Sequence, residues 1–162
     1  YELRDNSSFK GTIAPKDITP IFTDKQTEHT TDKTQPVYLF EGFMDFLSFL
    51  SMKEKIINHC LVMNSVSNAA RTVRYLSDRH LTHIRTFLDN DDAGQKTVQD
   101  FIRAGFKMED MSVYYKDFKD LNEFYVSRVR EQKKFRAQEQ IQVSTSEQYQ
   151  DRKSKQVKHK MR

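Results

Sequence analysis

Apolar residues gather between Pro36 and Val129, in short runs separated by polar stretches. Val37-Tyr38-Leu39-Phe40 is a continuous apolar run of strand length that stops at Glu41-Gly42; such runs suit strands buried on both faces. Phe43, Met44, Phe46, Leu47, Phe49 and Leu50 then recur at helical spacing, which predicts a helix with Phe43, Phe46 and Phe49 in the core. Cys60 to Met63 predicts a second buried strand. Ala69 to Arg79 predicts a helix with Val73 and Leu76 inward and Ser67 or Asn68 as its cap. Ile84 to Leu88 predicts a third strand, followed by Asp89-Asn90-Asp91-Asp92-Ala93-Gly94. A helix over Ala93 to Ala104 follows, with Val98, Phe101 and Ile102 inward, and Gly105 stops it. Met111 to Tyr115 reads as a fourth strand and Leu121 to Phe135 as a last helix.

Strand and helix thus alternate four times. That order predicts an α/β fold, a roughly four-stranded parallel sheet flanked by helices. Residues 1–35 read as an N-terminal segment and linker, the end of a preceding subdomain. Short strands are expected at Tyr1 to Arg4 and Ile18 to Phe22, and a loop from Thr23 to Gln35. Residues 36–127 form the expected catalytic domain. Residues 128–162 form a tail, helical at first and then disordered.

Composition adds three points. The mean hydropathy of -0.81 means that the core is local. No apolar run is long enough to span a membrane, and no signal peptide is visible. The single cysteine, Cys60, lies inside an apolar run and excludes an internal disulfide, which fits a reducing cytoplasm. The net charge of +4 is unevenly spread: residues 128–162 hold 11 Lys and Arg against 4 Asp and Glu, whereas residues 1–127 hold 16 against 19. A basic tail on an acidic body attracts polyphosphate surfaces such as nucleic acid; its bland alternative is a solvated end.

The acidic residues carry the chemistry. In open parallel sheets ligands bind outside the carboxyl ends of the strands. Glu41 falls at the end of the first core strand, and Asp89 and Asp91 at the end of the third. If those strands are neighbours, three carboxylates meet in one crevice and their repulsion calls for a cation. Hard oxygen ligands suit Mg²⁺, or Mn²⁺, which polarises phosphate in phosphoryl and nucleotidyl transfer. Asp89 and Asp91, two apart, would face one side of an extended chain, with Asn90 pointing away. Asp92 reads equally as a helix-start charge. Asp117, Asp120 and Glu123 form a third acidic patch; Asp120 is either a further metal ligand or the cap of the last helix in a capping box with Glu123.

Three segments between Pro36 and about Val126 resemble the Toprim domain of DNA primases, topoisomerases and some nucleases. Phe40-Glu41-Gly42-Phe43-Met44-Asp45 is similar to the primase form of its glutamate motif, and Phe87-Leu88-Asp89-Asn90-Asp91-Asp92-Ala93-Gly94 to its Asp-x-Asp motif. Lys119-Asp120-Leu121-Asn122-Glu123-Phe124 is similar to the primase segment Lys-Asp-Pro-Asn/Asp-Glu, with Leu121 in place of proline. The resemblance implies a Toprim-like Rossmannoid, with Glu41, Asp89 and Asp91 as the catalytic metal-binding core and Asp120 and Asp45 in support. It implies primer synthesis with single-stranded DNA and nucleotides, and a helicase or other replication protein as partner. The segment from Phe9 to Thr19 also resembles the piece that precedes Toprim in small primase-like proteins of mobile elements.

The sequence departs from that family in two places. Met63 to Asn68 replaces the usual Gly-Thr with hydroxyls and amides. The zinc-ribbon module and basic template-holding subdomain of full primases have no room here, so the chain reads as the carboxyl-terminal part of such a protein or a reduced relative. Arg71, Arg74, Lys96 and Lys119 are candidate contacts for nucleic-acid or nucleotide phosphate, each against the alternative of a solvated helix face. A Toprim-type nuclease with Glu41 as acid or base, and a non-catalytic nucleic-acid-binding relative, are the competing readings.

Overall fold

A computed structural model describes the backbone of residues 2–4, 10–12, 16–21 and 35–160, with side chains for 16–21 and 35–140. The loop expected over Thr23 to Gln35 lies almost wholly outside the described residues. The apolar runs become strands β4 (Val37–Phe40), β5 (Cys60–Val62) and β6 (His83–Phe87). The helical patterns become α1 (Phe43–Met52), α2 (Ala69–Asp78) and α3 (Asp92–Arg103). Upstream, β1 (Glu2–Arg4) and β2 (Lys10–Thr12) form an antiparallel pair of their own, and β3 (Thr19–Ile21) joins the main sheet.

That sheet has five strands in the order β3-β5-β4-β6-β7, where β7 is Lys107–Asp110. Strands β5, β4, β6 and β7 are parallel, and β3 is an antiparallel edge paired with β5. The expectation of about four parallel strands therefore holds, with one antiparallel strand added. The position of the last strand needs correction. Met111 to Tyr115 is not extended; Ser112–Tyr115 is a 3-10 turn. Edge strand β7 is half-solvated, so Lys, Glu and Asp sit in it and it shows no apolar run. In the turn, Tyr115 is buried but Val113 and Tyr114 are 61% and 72% exposed.

Side chains alternate across the sheet with the strand period of two. One face packs Val37, Leu39, Leu61 and Ile84 against Leu76 of α2 and Val98 and Phe101 of α3. The other packs Phe40, Val62 and Phe87 against Phe46 and Phe49 of α1 and against Tyr115 and Leu121. Phe40 and Phe87 are register partners and stack at 4.8 Å, which pins the ends of β4 and β6 side by side. Burying such a ring contributes roughly 1.5–3 kcal/mol. Two inward assignments fail: Phe43 is 36% and Ile102 47% exposed, because each lies at the edge of its helix's apolar stripe. Cys60 is buried, and burial pushes its thiol up to about 12, which leaves it unreactive.

The chain divides into two compact units, Tyr1–Tyr125 and Val126–Arg162. The last helix, α4, runs over Leu121–Lys160, so the second unit is helical to Lys160. No Gly or Pro occurs after Gly105, and the segment is rich in Gln, Glu, Lys and Arg, all good helix formers. Among the described residues no helix is long and apolar enough to cross a membrane.

Candidate metal centre

Because β4 and β6 are hydrogen-bonded neighbours, the residues that follow them meet. The Glu41 N–H donates to the Phe87 carbonyl at 3.3 Å, and the Asp89 N–H donates to Glu41 Oε2 at 3.2 Å. Strand β6 ends at Phe87, so Asp89 and Asp91 stand in the turn beyond it. Asp91 is the N-cap of α3: its Oδ1 accepts the Gly94 N–H at 2.9 Å. Asp92 lies in the first turn of that helix, as its helix-start reading required.

At Gly94 nothing larger fits, and at Gly42 a larger residue would press on a neighbouring side chain. A Cβ at Gly94 would lie 2.2 Å from the Asp89 carbonyl oxygen, so α3 can start against the aspartate turn only through glycine. A Cβ at Gly42 would lie 2.9 Å from Asp45 Oδ2. Asp45, on α1, is 7% exposed, and its Oδ1 accepts the Asn122 N–H of α4 at 3.0 Å. Ser48 adds a bond from its hydroxyl to Asn122 Oδ1 at 3.1 Å.

The third acidic loop is stapled to the aspartate turn by a residue that the motif leaves unspecified. The Asn90 amide Nδ2 donates to the Tyr115 and Phe118 carbonyls at 2.9 and 2.8 Å, and its backbone N–H donates to the Lys119 carbonyl at 2.7 Å. The buried Tyr115 hydroxyl donates back to the Leu88 carbonyl at 2.8 Å. Extended alternation does not apply to Asn90, because β6 ends at Phe87, and it gave no sign of these partners in the third acidic loop. Asp120 does cap α4, its Oδ1 accepting the Glu123 N–H at 2.7 Å. Glu123 reaches back one residue further than in a standard capping box, to the Lys119 N–H at 2.7 Å.

Electrostatics bind these groups into one cluster. Burial, then the charge of Asp89, pushes Glu41 up to about 6. Burial, then Asp120, pushes Asp45 up to about 7. Asp89 is raised by burial against the lowering pull of Lys119, whose Nζ lies 3.2 Å from Asp89 Oδ2. Among the described residues no three His, Cys, Asp or Glu side chains form a ready-made ion site. Each of these acids accepts a backbone N–H or pairs with Lys119. The donor set still fits a hard divalent cation, being all carboxylate oxygen, partly desolvated and mutually repelling.

The structure brings Glu41, Asp45, Asp89, Asp91, Asp120 and Lys119 together. It does not add the other basic candidates to that group. Arg71 pairs with Asp17 at 2.7 Å, Arg74 is exposed on α2, and Lys96 is exposed on α3 in a shallow depression with Asp92, Asp110 and Ser112. At α2, Asn68 is the N-cap residue but makes no side-chain cap; its amide donates to the Met63 carbonyl at 2.8 Å, and Ser65 caps the preceding 3-10 turn.

Residues 38–125 match the model of a protein family described as Toprim-like. Among solved structures, the chain is similar to the primase fragment of the bacteriophage T7 primase-helicase protein, with a TM-score of 0.47 and 19% sequence identity. That alignment covers 62% of this chain and 42% of the fragment, so the chain spans less than half of that fragment's length. No curated protein sequence matches the chain.

Proposed function

The chain belongs to the Toprim-like family, and from that premise we propose that it is the catalytic module of a DNA primase-like protein, carrying out metal-dependent nucleotidyl transfer in primer synthesis on single-stranded DNA. One observation carries this reading: the bond from the Asp89 N–H to Glu41 Oε2, which joins the glutamate motif to the Asp-x-Asp motif at the carboxyl ends of adjacent parallel strands. Glu41, Asp89 and Asp91 would hold Mg²⁺ or Mn²⁺, with Asp120 and Asp45 in support. The bound cation supplies polarisation of a phosphate and charge neutralisation at the attacking or leaving oxygen. Lys119 stands beside Asp89, where it can meet a nucleotide phosphate; Arg71, Arg74 and Lys96 are candidate contacts for the DNA backbone. The basic unit Val126–Arg162 adds non-specific, salt-dependent affinity. A helicase or other replication protein is the expected partner, in the cytoplasm.

Primer synthesis by the full-length parent protein tests this. Loss of synthesis in Asp89→Ala supports the reading, and undiminished synthesis in that variant sinks it. A Toprim-type nuclease is the second reading, favoured by Glu41 at about 6, where a carboxyl can serve as general acid or base near neutral pH. Cation-dependent plasmid nicking, abolished in Glu41→Gln and without any primer synthesis, selects it.

A further inference from the structure

Lys119 is held in place at both of its peptide groups. Its carbonyl accepts the Asn90 N–H and its N–H donates to Glu123 Oε2, both at 2.7 Å. Its ammonium lies 3.2 Å from Asp89 Oδ2, with the Lys119 side chain 59% exposed and the Asp89 side chain 15%. The ammonium therefore stands on the solvent side of a largely covered carboxylate. Glu41, bonded to the Asp89 N–H, feels the same positive charge. A second cation approaching Asp89 meets a positive charge already in position, and like charges at contact distance disfavour each other.

We propose that Lys119 is a resident counter-ion of the acidic crevice, positioned by the Asn90 staple, and that a divalent cation binds at Asp89 in competition with its ammonium. The inference rests on the reading of Glu41, Asp89 and Asp91 as cation ligands. In the cation-free protein the ammonium offsets the repulsion among the acids, so the crevice stays assembled. When the cation enters, the lysine gives up Asp89. It remains tethered through its backbone at the mouth of the crevice, where an incoming phosphate oxygen can take the place of the carboxylate as its partner.

The test is a calorimetric titration with Mn²⁺ on the wild-type chain, Lys119→Met and Lys119→Arg, at fixed pH and ionic strength. Competition predicts that Lys119→Met binds Mn²⁺ roughly threefold to tenfold more tightly than wild type. Lys119→Arg keeps the charge and should stay within about twofold of wild type. A second measurement reads the counter-ion role directly. Without a divalent ion Lys119→Met should melt below wild type at neutral pH, and saturating Mn²⁺ should close that gap. If wild type binds and Lys119→Met binds equally or more weakly, the inference is overturned while the cation reading stands. If wild type itself binds no Mn²⁺, that reading fails and takes the inference with it.

Discussion

The side-chain amide of Asn90 donates at 2.8 Å to the backbone carbonyl of Phe118, 28 positions later in the chain. Its second bond, to the Tyr115 carbonyl, makes this one amide the joint between the aspartate turn and the loop that carries Lys119 and Asp120. Replacing Asn90 with Ala strands two partly buried carbonyls, which should cost about 1–3 kcal/mol of stability. Asn90→Asp should be at least as damaging at neutral pH, because it turns a carboxylate toward those oxygens. Urea denaturation measures both; wild-type stability in Asn90→Ala would show that the staple contributes nothing.

Gly94→Ala sets two effects against each other. Alanine gains up to about 1 kcal/mol of helix propensity over glycine. The added Cβ, however, would lie 2.2 Å from the Asp89 carbonyl oxygen, which is backbone and cannot swing aside. Overpacking of this kind costs roughly 1–3 kcal/mol, so the variant should be less stable than wild type and its aspartate turn displaced. Thermal unfolding, with the amide NMR signals of residues 88–94, checks both; a stabilised variant would mean that the turn has slack.

Asp91 caps α3 and is also a proposed cation ligand, and one pair of substitutions separates the two roles. As N-cap of α3 it is replaceable by Asn, an equally good cap, whereas Ala loses about 1 kcal/mol. As a cation ligand it needs its charge. Asp91→Asn should therefore unfold like wild type yet bind Mn²⁺ at least about tenfold more weakly, a loss on the order of 1.4 kcal/mol. Equal Mn²⁺ affinity in Asp91→Asn would remove Asp91 from the ligand set.

Asp45 predicts a pH dependence. Burial, then Asp120, raises its folded-state value from 3.8 to about 7. Between those two values the folded protein keeps a proton that the unfolded chain has released, so stability falls as pH rises. The favourable contribution is complete below about pH 4 and lost by the time pH passes about 7. Asp45→Asn still offers an oxygen to the Asn122 N–H but carries no charge. It should match wild type near pH 4 and exceed it, by something on the order of 2 kcal/mol, at pH 8 without divalent cations. Melting curves of both proteins across pH 4–8 decide the matter; parallel curves would mean that Asp45 ionises without penalty.

The sequence by itself determined the alternation of elements and the placement of the acids. Continuous apolar runs at Val37–Phe40 and Cys60–Val62 and helical spacing at Val98 and Phe101 are local signatures of a chain facing a core, and they survive without knowledge of any partner. Glu41 and Asp89 were legible because a strand that ends in a carboxylate shows itself in sequence. The edge strand Lys107–Asp110 was hidden, since a half-solvated strand needs no apolar run. What only the tertiary structure decided depends on pairing between distant segments. The placement of β4 between β5 and β6 brings Glu41 to Asp89 across 48 positions, and the packing of the first turn of α4 beside α1 brings the Asn122 N–H to Asp45 across 77. No local periodicity encodes such contacts. The need for glycine at position 94, the reach of Asn90 and the pairing of Lys119 with Asp89 all follow from that packing, because each is set by a neighbour that the chain meets only once folded.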